Sequence, residues 1–88
     1  MKMVQEHHLL VIFNSVHKVM LAEIRLKKHF DILLIPVPRA LSADCGMVLR
    51  FERSDQQAVV ELLTKEGLLP FTLYEPDGGG FNVVGEFS

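Results

Sequence analysis

The single cysteine of the chain, Cys45, lies in the stretch PVPRALSADCG, which runs from Pro36 to Gly46. A thiolate is a strong nucleophile, and the pKa of a thiol falls when a helix N-terminus, an arginine or a protonated histidine lies nearby. Pro36 and Pro38 restrict this segment because the proline ring fixes φ, and Gly46 lets a backbone or a substrate approach closely. The stretch therefore predicts either a reactive thiol presented by a stiff loop or a small buried residue.

Four short apolar runs predict the strands that position this loop. They are Leu9–Phe13, Asp31–Ile35, Met47–Glu52 and Leu68–Tyr74. Pro36 ends the second run, and Pro70 near the start of the fourth predicts an edge strand. The third run alternates, since positions 47, 49 and 51 are apolar and Arg50 and Glu52 on the other face are polar, which is typical of a strand covered on one side.

Two segments between these runs predict helices. The first extends from Ser15 to about His29, and Asn14 or Ser15 can serve as its N-cap. Its predicted buried face consists of Val16, Val19, Ala22 and Leu26, and Met20 and Ile24 widen that face. The second follows a predicted capping box with Ser54 as N-cap and Gln57 at the third helical position, and it ends at Gly67.

The resulting order, β-α-β-β-α-β, predicts an α+β fold. With short right-handed connections this order gives a ferredoxin-like sandwich, a four-stranded antiparallel sheet with two helices on one face. Residues 1–76 are predicted to form this single domain. Residues 77–88 are predicted to be a Gly-rich turn and C-terminal tail, with an extra strand in this chain or on another subunit as the alternative. The open sheet face or the tail could support a homodimer.

In this topology the ends of the first two strands and the start of the third share one edge. The candidate site residues gathered there are Cys45 as the reactive group, with Arg39, Ser42, Gly46, His17 and Ser15 as binding residues. The N-terminus of the first helix carries a partial positive charge there, which favours an anion such as a thiolate. Simpler interpretations stand beside these: Cys45 as inert packing, Arg39 as a solvated loop charge, and His17 as an ordinary surface histidine.

Size and composition exclude several classes of protein. The chain has 88 residues, of which 49% are hydrophobic, so it suits one packed domain. A formal net charge of −2 gives no attraction to nucleic acid or to an anionic membrane. The third strand lacks the paired aromatic residues that stack RNA bases. One cysteine, together with the lack of a signal peptide or an apolar membrane span, predicts a reduced, cytoplasmic protein.

No metal ion or cofactor is predicted. His7, His8 and His29 are too scattered along the sequence to indicate a metal site, and no second cysteine supports zinc. The run Gly78–Gly80 is not a phosphate-binding loop, because no helix with a Lys-Ser/Thr pair follows it.

The segment IPVPRALSADCGMVLRF resembles a family of uncharacterised prokaryotic domains, the selenium/sulfur carrier protein-like family. The family's features match this chain over roughly residues 9–75. They are a Ser-x-His segment after the first strand, an Ala-Glu pair in the first helix, Ile-Pro-Val-Pro-Arg, a serine and a Cys-Gly that opens a strand. Here these are Ser15 and His17, Ala22 and Glu23, Ile35–Arg39, Ser42, and Cys45–Gly46. The chain departs from the family in having His29-Phe30 where an Ala-Gly-like helix end is common, and in its Gly-rich tail.

The resemblance implies a carrier that holds sulfur or selenium on Cys45 as a persulfide or selenopersulfide and passes it to a partner protein. Arg39, Ser42 and Gly46 would then stabilise the anion, and His17 could move a proton. Because the chain has no second cysteine to resolve the persulfide, the acceptor must be another molecule, which favours an accessory carrier over a free-standing enzyme. The alternative is a non-catalytic ferredoxin-like module for small-molecule binding or assembly, in which Cys45 is structural.

Overall fold

The computed structural model describes residues 4–41 and 46–88, which form two α-helices and a five-stranded antiparallel sheet. In chain order the elements are β1 His8–Phe13, α1 Val16–Leu26, β2 Ile32–Pro36, β3 Met47–Glu52, a 3₁₀ turn Arg53–Asp55, α2 Gln56–Lys65, β4 Phe71–Asp77 and β5 Gly80–Phe87. The predicted α+β class is confirmed. The predicted four-stranded sheet is wrong, because the C-terminal residues pair with β4 and add β5 to its free edge.

The strands lie in the order β2-β3-β1-β4-β5, and each neighbouring pair is antiparallel. β3 therefore lies between β1 and β2, which run parallel to each other. Its register places Glu52 opposite His8 of β1 and Met47 opposite Pro36 of β2. As a result the C-terminal ends of β1 and β2 meet the start of β3 at one edge of the sheet.

Both helices cover the same side of the sheet. The core on this side takes alternate residues of the strands and the inner faces of both helices: Leu9, Val11, Phe13, Val19, Ala22, Leu26, Leu49, Phe51, Val59, Leu63, Leu68, Phe71 and Leu73. Complete burial of one large apolar side chain contributes roughly 1.5–3 kcal/mol. This layer is therefore the main source of stability, and it fixes the strand ends that form the shared edge.

Helix α1 begins as predicted at Ser15, whose hydroxyl oxygen accepts a hydrogen bond from the Lys18 N–H at 3.2 Å. Its buried residues are Val19, Ala22 and Leu26. Val16 was predicted to join them, and this is wrong, because it is 55% exposed. Val16 lies about 60–120° around the helix from the three buried residues, on a second apolar line that also carries the exposed Met20 and Ile24.

Helix α2 does not begin with the predicted capping box. A 3₁₀ turn precedes it and moves the N-cap position from Ser54 to Asp55, which makes no side-chain capping bond. Gln57 instead donates to the Glu61 carboxylate one turn later. The predicted C-terminus is confirmed: Gly67 has a φ of +72°, and the N–H groups of Gly67 and Leu68 donate to Thr64 and Leu63.

Strand β4 is an inner strand and not the predicted edge strand, since β1 and β5 flank it. Pro70 does not interrupt its ladder because the strand starts one residue later, at Phe71. Among the described residues, neither helix has the length and apolar character that a membrane span requires.

Candidate functional site

Gly46 holds the start of β3 at the shared edge. Its carbonyl accepts a hydrogen bond from the Val37 N–H at 3.0 Å, which continues the β2–β3 ladder one step beyond Pro36 and Met47. Gly46 has a φ of +72°, a backbone conformation that residues other than glycine rarely adopt. Among the described residues, no atom would lie within 4 Å of a Cβ atom added there, so the backbone conformation explains the glycine.

Arg39 lies in a tight turn after β2. The Leu41 N–H donates to the Pro38 carbonyl at 3.0 Å, which places Arg39 and Ala40 at the tip of the turn, and both are exposed. The hydrogen bonds and ion pairs of the described residues do not use the Arg39 guanidinium. Its charge, which is permanent near neutral pH, is therefore available to an anion.

Ser15 and His17 reach the same edge from the helix side. The Ser15 hydroxyl oxygen is engaged as the N-cap of α1, and His17 is exposed in the first turn. Sequence reasoning missed Lys18, whose Nζ donates to the Leu69 carbonyl at 2.7 Å and ties α1 to the segment before β4. The only sequence signal for the position of Lys18 was Ser15, because a serine N-cap fixes where the first turn of the helix begins.

Cys45 and Ser42 lie outside the described residues. Cys45 directly precedes Gly46 in the sequence, whose position at the start of β3 is fixed by the ladder. The strand order places Gly46, the start of α1 with Ser15 and His17, and the turn with Arg39 at one edge of the sheet. That these residues form one site with Cys45 stays a prediction. Oriented N–H groups and a guanidinium at such an edge can stabilise a negative charge.

A second polar cluster lies at the opposite end of the sheet, and sequence reasoning missed it. His7 Nδ1 lies 3.0 Å from Glu52 Oε1, and His8 Nε2 lies 3.2 Å from Glu52 Oε2. His7, His8 and Glu52 each offer one possible metal-binding atom, and these three atoms lie within 4.8 Å of one another. Glu52 is far from the histidines in sequence, and the β1–β3 register places it opposite His8. Adjacent histidines at a strand start were the only local signal.

The hydrogen bonds of His7, His8 and Glu52 indicate a structural contact between β1 and β3, here called the clamp, and argue against a metal site. The Gln5 N–H donates to His8 Nδ1 at 3.0 Å, so in neutral His8 the proton is on Nε2 and is donated to Glu52. A metal ion on Nε2 would displace that proton. In neutral His8 the proton would then be on Nδ1, which could no longer accept the hydrogen bond from the Gln5 N–H. The clamp instead ties the residues before β1 to the end of β3, helped by the Arg53 N–H, which donates to the His7 carbonyl at 2.8 Å.

Two groups of this cluster, His8 and Glu52, have pKa values below their ordinary values, for different reasons. Burial, with the positive charges of Arg50 and His7 nearby, lowers the pKa of His8 below 6.5 and outweighs the attraction of Glu52. The hydrogen bond from His7, together with the charges of the two histidines and Arg50, lowers the pKa of Glu52 below 4.5. Folding therefore favours neutral His8 and ionised Glu52.

We expect the free energy of unfolding to fall as pH decreases from 7 to 4. Both folded pKa values lie below the unfolded ones, so each contribution is complete above the unfolded pKa and is lost as pH falls through the folded pKa. The His8 contribution starts to decline near pH 6.5 and that of Glu52 near pH 4.5. Urea unfolding at a series of pH values measures this decline.

His8→Asn is the informative variant, because the asparagine side-chain oxygen can still accept the Gln5 N–H but does not titrate. It should flatten the decline between pH 7 and 5. His29→Gln removes an exposed histidine and should leave the decline unchanged. An unchanged decline in His8→Asn would contradict the role given to His8.

Comparison with known proteins identifies the family. The model of the family described as "Putative Se/S carrier protein-like" matches residues 8–75, which is more than half of the chain. Comparison with the curated proteins and with the solved structures gave no match. The matched range contains every candidate site residue and runs from the start of β1 into β4. The resemblance found in the sequence is thereby confirmed, and this chain belongs to the Se/S carrier protein-like family.

Proposed function

We propose that this protein carries sulfur or selenium on Cys45 as a persulfide or selenopersulfide and delivers it to a partner protein. The observation that carries the proposal is the family match over residues 8–75, which includes a lone cysteine immediately before the β3 edge. We further propose that β1 to β4 with the two helices represent a ferredoxin-like arrangement extended by β5, and that the protein works in the reducing cytoplasm.

The chemistry balances without an added oxidant. The Cys45 thiolate attacks the outer sulfur of a donor persulfide, a new S–S bond forms on Cys45, and the donor S–S bond breaks to release the donor thiolate. In delivery, an acceptor thiolate attacks the outer sulfur and Cys45 leaves as a thiolate. Since the chain contains one cysteine, both steps require another molecule.

In this proposal some of the groups near Cys45 stabilise the negative charge on sulfur, and another transfers a proton. The partial positive charge of the α1 N-terminus, begun by Ser15, and the guanidinium of Arg39 favour the thiolate and the persulfide anion. The Gly46 N–H and the Ser42 hydroxyl donate hydrogen bonds to the anion, and His17 moves a proton at the exposed first turn. The open sheet face and the C-terminal tail remain the predicted surfaces for a homodimer.

The rate of Cys45 alkylation by iodoacetamide, followed against pH, tests the first requirement. We expect an apparent pKa well below the ~8.5 of a free cysteine, because a helix N-terminus and a cation share the edge. Intact mass after incubation with glutathione persulfide should then show a stable gain of one sulfur atom. A thiol that stays slow to high pH and gains no sulfur would favour the alternative, a ligand-binding or assembly module with a structural cysteine.

A further inference from the structure

The side of the sheet that the helices leave open is covered in part by the chain's own loops. Leu10, Ile35 and Val48 are fully buried on this side although no helix packs there. Ile12 of β1 packs against them, and the other apolar residues come from the N-terminal segment, the segment after β2 and the β4–β5 hairpin: Val4, Val37, Leu41, Tyr74 and Phe81. The Gly-rich hairpin therefore bends over the open face and meets the residues that follow β2.

A cavity of about 440 Å³ remains between these segments. Its walls are the Pro36–Arg39 segment on one side and the hairpin residues Gly79–Phe81 on the other, with Val4 beside them. Small-molecule sites are typically apolar clefts of about 300–1,000 Å³ with few polar groups. The cavity has this size and this composition.

Arg39 is the only charged residue among the described residues that line the cavity. Its guanidinium is exposed, and the described hydrogen bonds and ion pairs leave it unused. A guanidinium at the rim of an apolar cleft matches a carboxylate or sulfonate through charge and paired N–H donors. The larger depression beside Glu6, His7, Arg53 and Asp77, about 920 Å³, combines both charge signs and does not select one ligand charge.

We propose that this cavity binds a small apolar anion, an aromatic or aliphatic acid whose body contacts Val37 and Phe81 and whose charged end contacts Arg39. The proline rings of Pro36 and Pro38 pre-form one wall, so little backbone entropy is lost on binding. This binding shares Arg39 with the proposed carrier function but goes beyond it, because it does not use the thiol of Cys45.

A matched pair of fluorescent probes tests the charge requirement. The anion 1-anilinonaphthalene-8-sulfonate and the neutral N-phenyl-1-naphthylamine differ only in the sulfonate. We expect saturable binding of the sulfonate by the folded protein, and binding of the neutral probe weaker by roughly tenfold, as the loss of one charge-assisted contact implies. Arg39→Gln should weaken sulfonate binding by about the same factor and leave the neutral probe unchanged.

Three controls make the outcome decisive. Lys27→Gln removes an exposed charge from the end of α1 and should not alter binding. Cys45→Ser should bind the sulfonate as the parent chain does, whether or not Cys45 carries sulfur, so failure of the carrier function and failure of this proposal are distinguishable. Cooperative thermal unfolding of each variant shows that the probes report a folded protein.

Three results would overturn the proposal. They are equal affinity for both probes, an unchanged affinity in Arg39→Gln, or no binding. Sedimentation measured alongside would then show whether a second copy of the chain covers the cavity.

Discussion

A chain in which serine replaces Cys45 is expected to gain no sulfur from glutathione persulfide, whereas the parent chain gains one atom. The loss should be complete, because a serine hydroxyl stays protonated near neutral pH and cannot attack the outer sulfur of the donor. Intact mass spectrometry measures it directly. Thermal unfolding should show that the variant folds, so that the loss can be assigned to chemistry.

Arg39→Gln should reduce sulfur loading only partly, in contrast to Cys45→Ser. An exposed charge contributes only about 0–1 kcal/mol to its neighbours, so we expect slower loading near neutral pH by a few-fold and not a complete loss. Lys27→Gln, which removes a cation from the end of α1 far along the helix from Ser15, should load at the parent rate. If Cys45→Ser still gained sulfur, the carrier proposal would fail, and a function that survives the substitution would indicate the ligand-binding module.

The elements that could be predicted from the sequence are those that local chemistry determines. β3 has the predicted bounds, Met47–Glu52, because alternation over six residues defines a strand by itself. Ser15 begins α1 and Gly67 ends α2 because a hydroxyl cap and a left-handed glycine act within one turn. The order of elements also predicted that the ends of β1 and β2 meet the start of β3, since that order constrains which strand ends are neighbours.

The orientation of α1 could not be predicted with the same success. The helix has two apolar lines, and Val16 belongs to the exposed one with Met20 and Ile24. Only the position of the sheet decides which line is buried, and that position depends on contacts distant in sequence. Likewise Gly78–Gly80 left a tail and an extra strand as alternatives, and the residues after it form that strand by pairing with β4, which places Phe81 on the open face.

The candidate site shows the same division. Topology predicted that the start of β3 lies at the ends of β1 and β2, and the hydrogen bond between Val37 and Gly46 continues the β2–β3 ladder there. The cavity next to Arg39 was not, since its second wall comes from the hairpin some forty residues later in the chain. The clamp between His8 and Glu52 depends in the same way on strand register, which no local pattern determines.

Phe51→Ala should have the largest effect on stability. Phe51 is fully buried in β3, which has strands on both sides, and it lies opposite Leu9 of β1 and Ile32 of β2. Removing a buried phenyl ring costs about 3–5 kcal/mol, from the lost transfer free energy and the cavity left behind. Native proteins have a free energy of unfolding of only about 5–15 kcal/mol in total, so this one substitution should remove a large fraction of it.

Met20→Ala is the matched control, because it also removes a large apolar side chain, but one that is 49% exposed on α1. We expect it to change the free energy of unfolding by less than about 1 kcal/mol, since roughly half of the side chain already contacts water. Urea unfolding of the two variants beside the parent chain measures the difference. The contrast tests the orientation of α1 directly: if Met20→Ala cost as much as Phe51→Ala, the line Val16, Met20 and Ile24 would be buried in solution, and the helix side of the core would have to be reassigned.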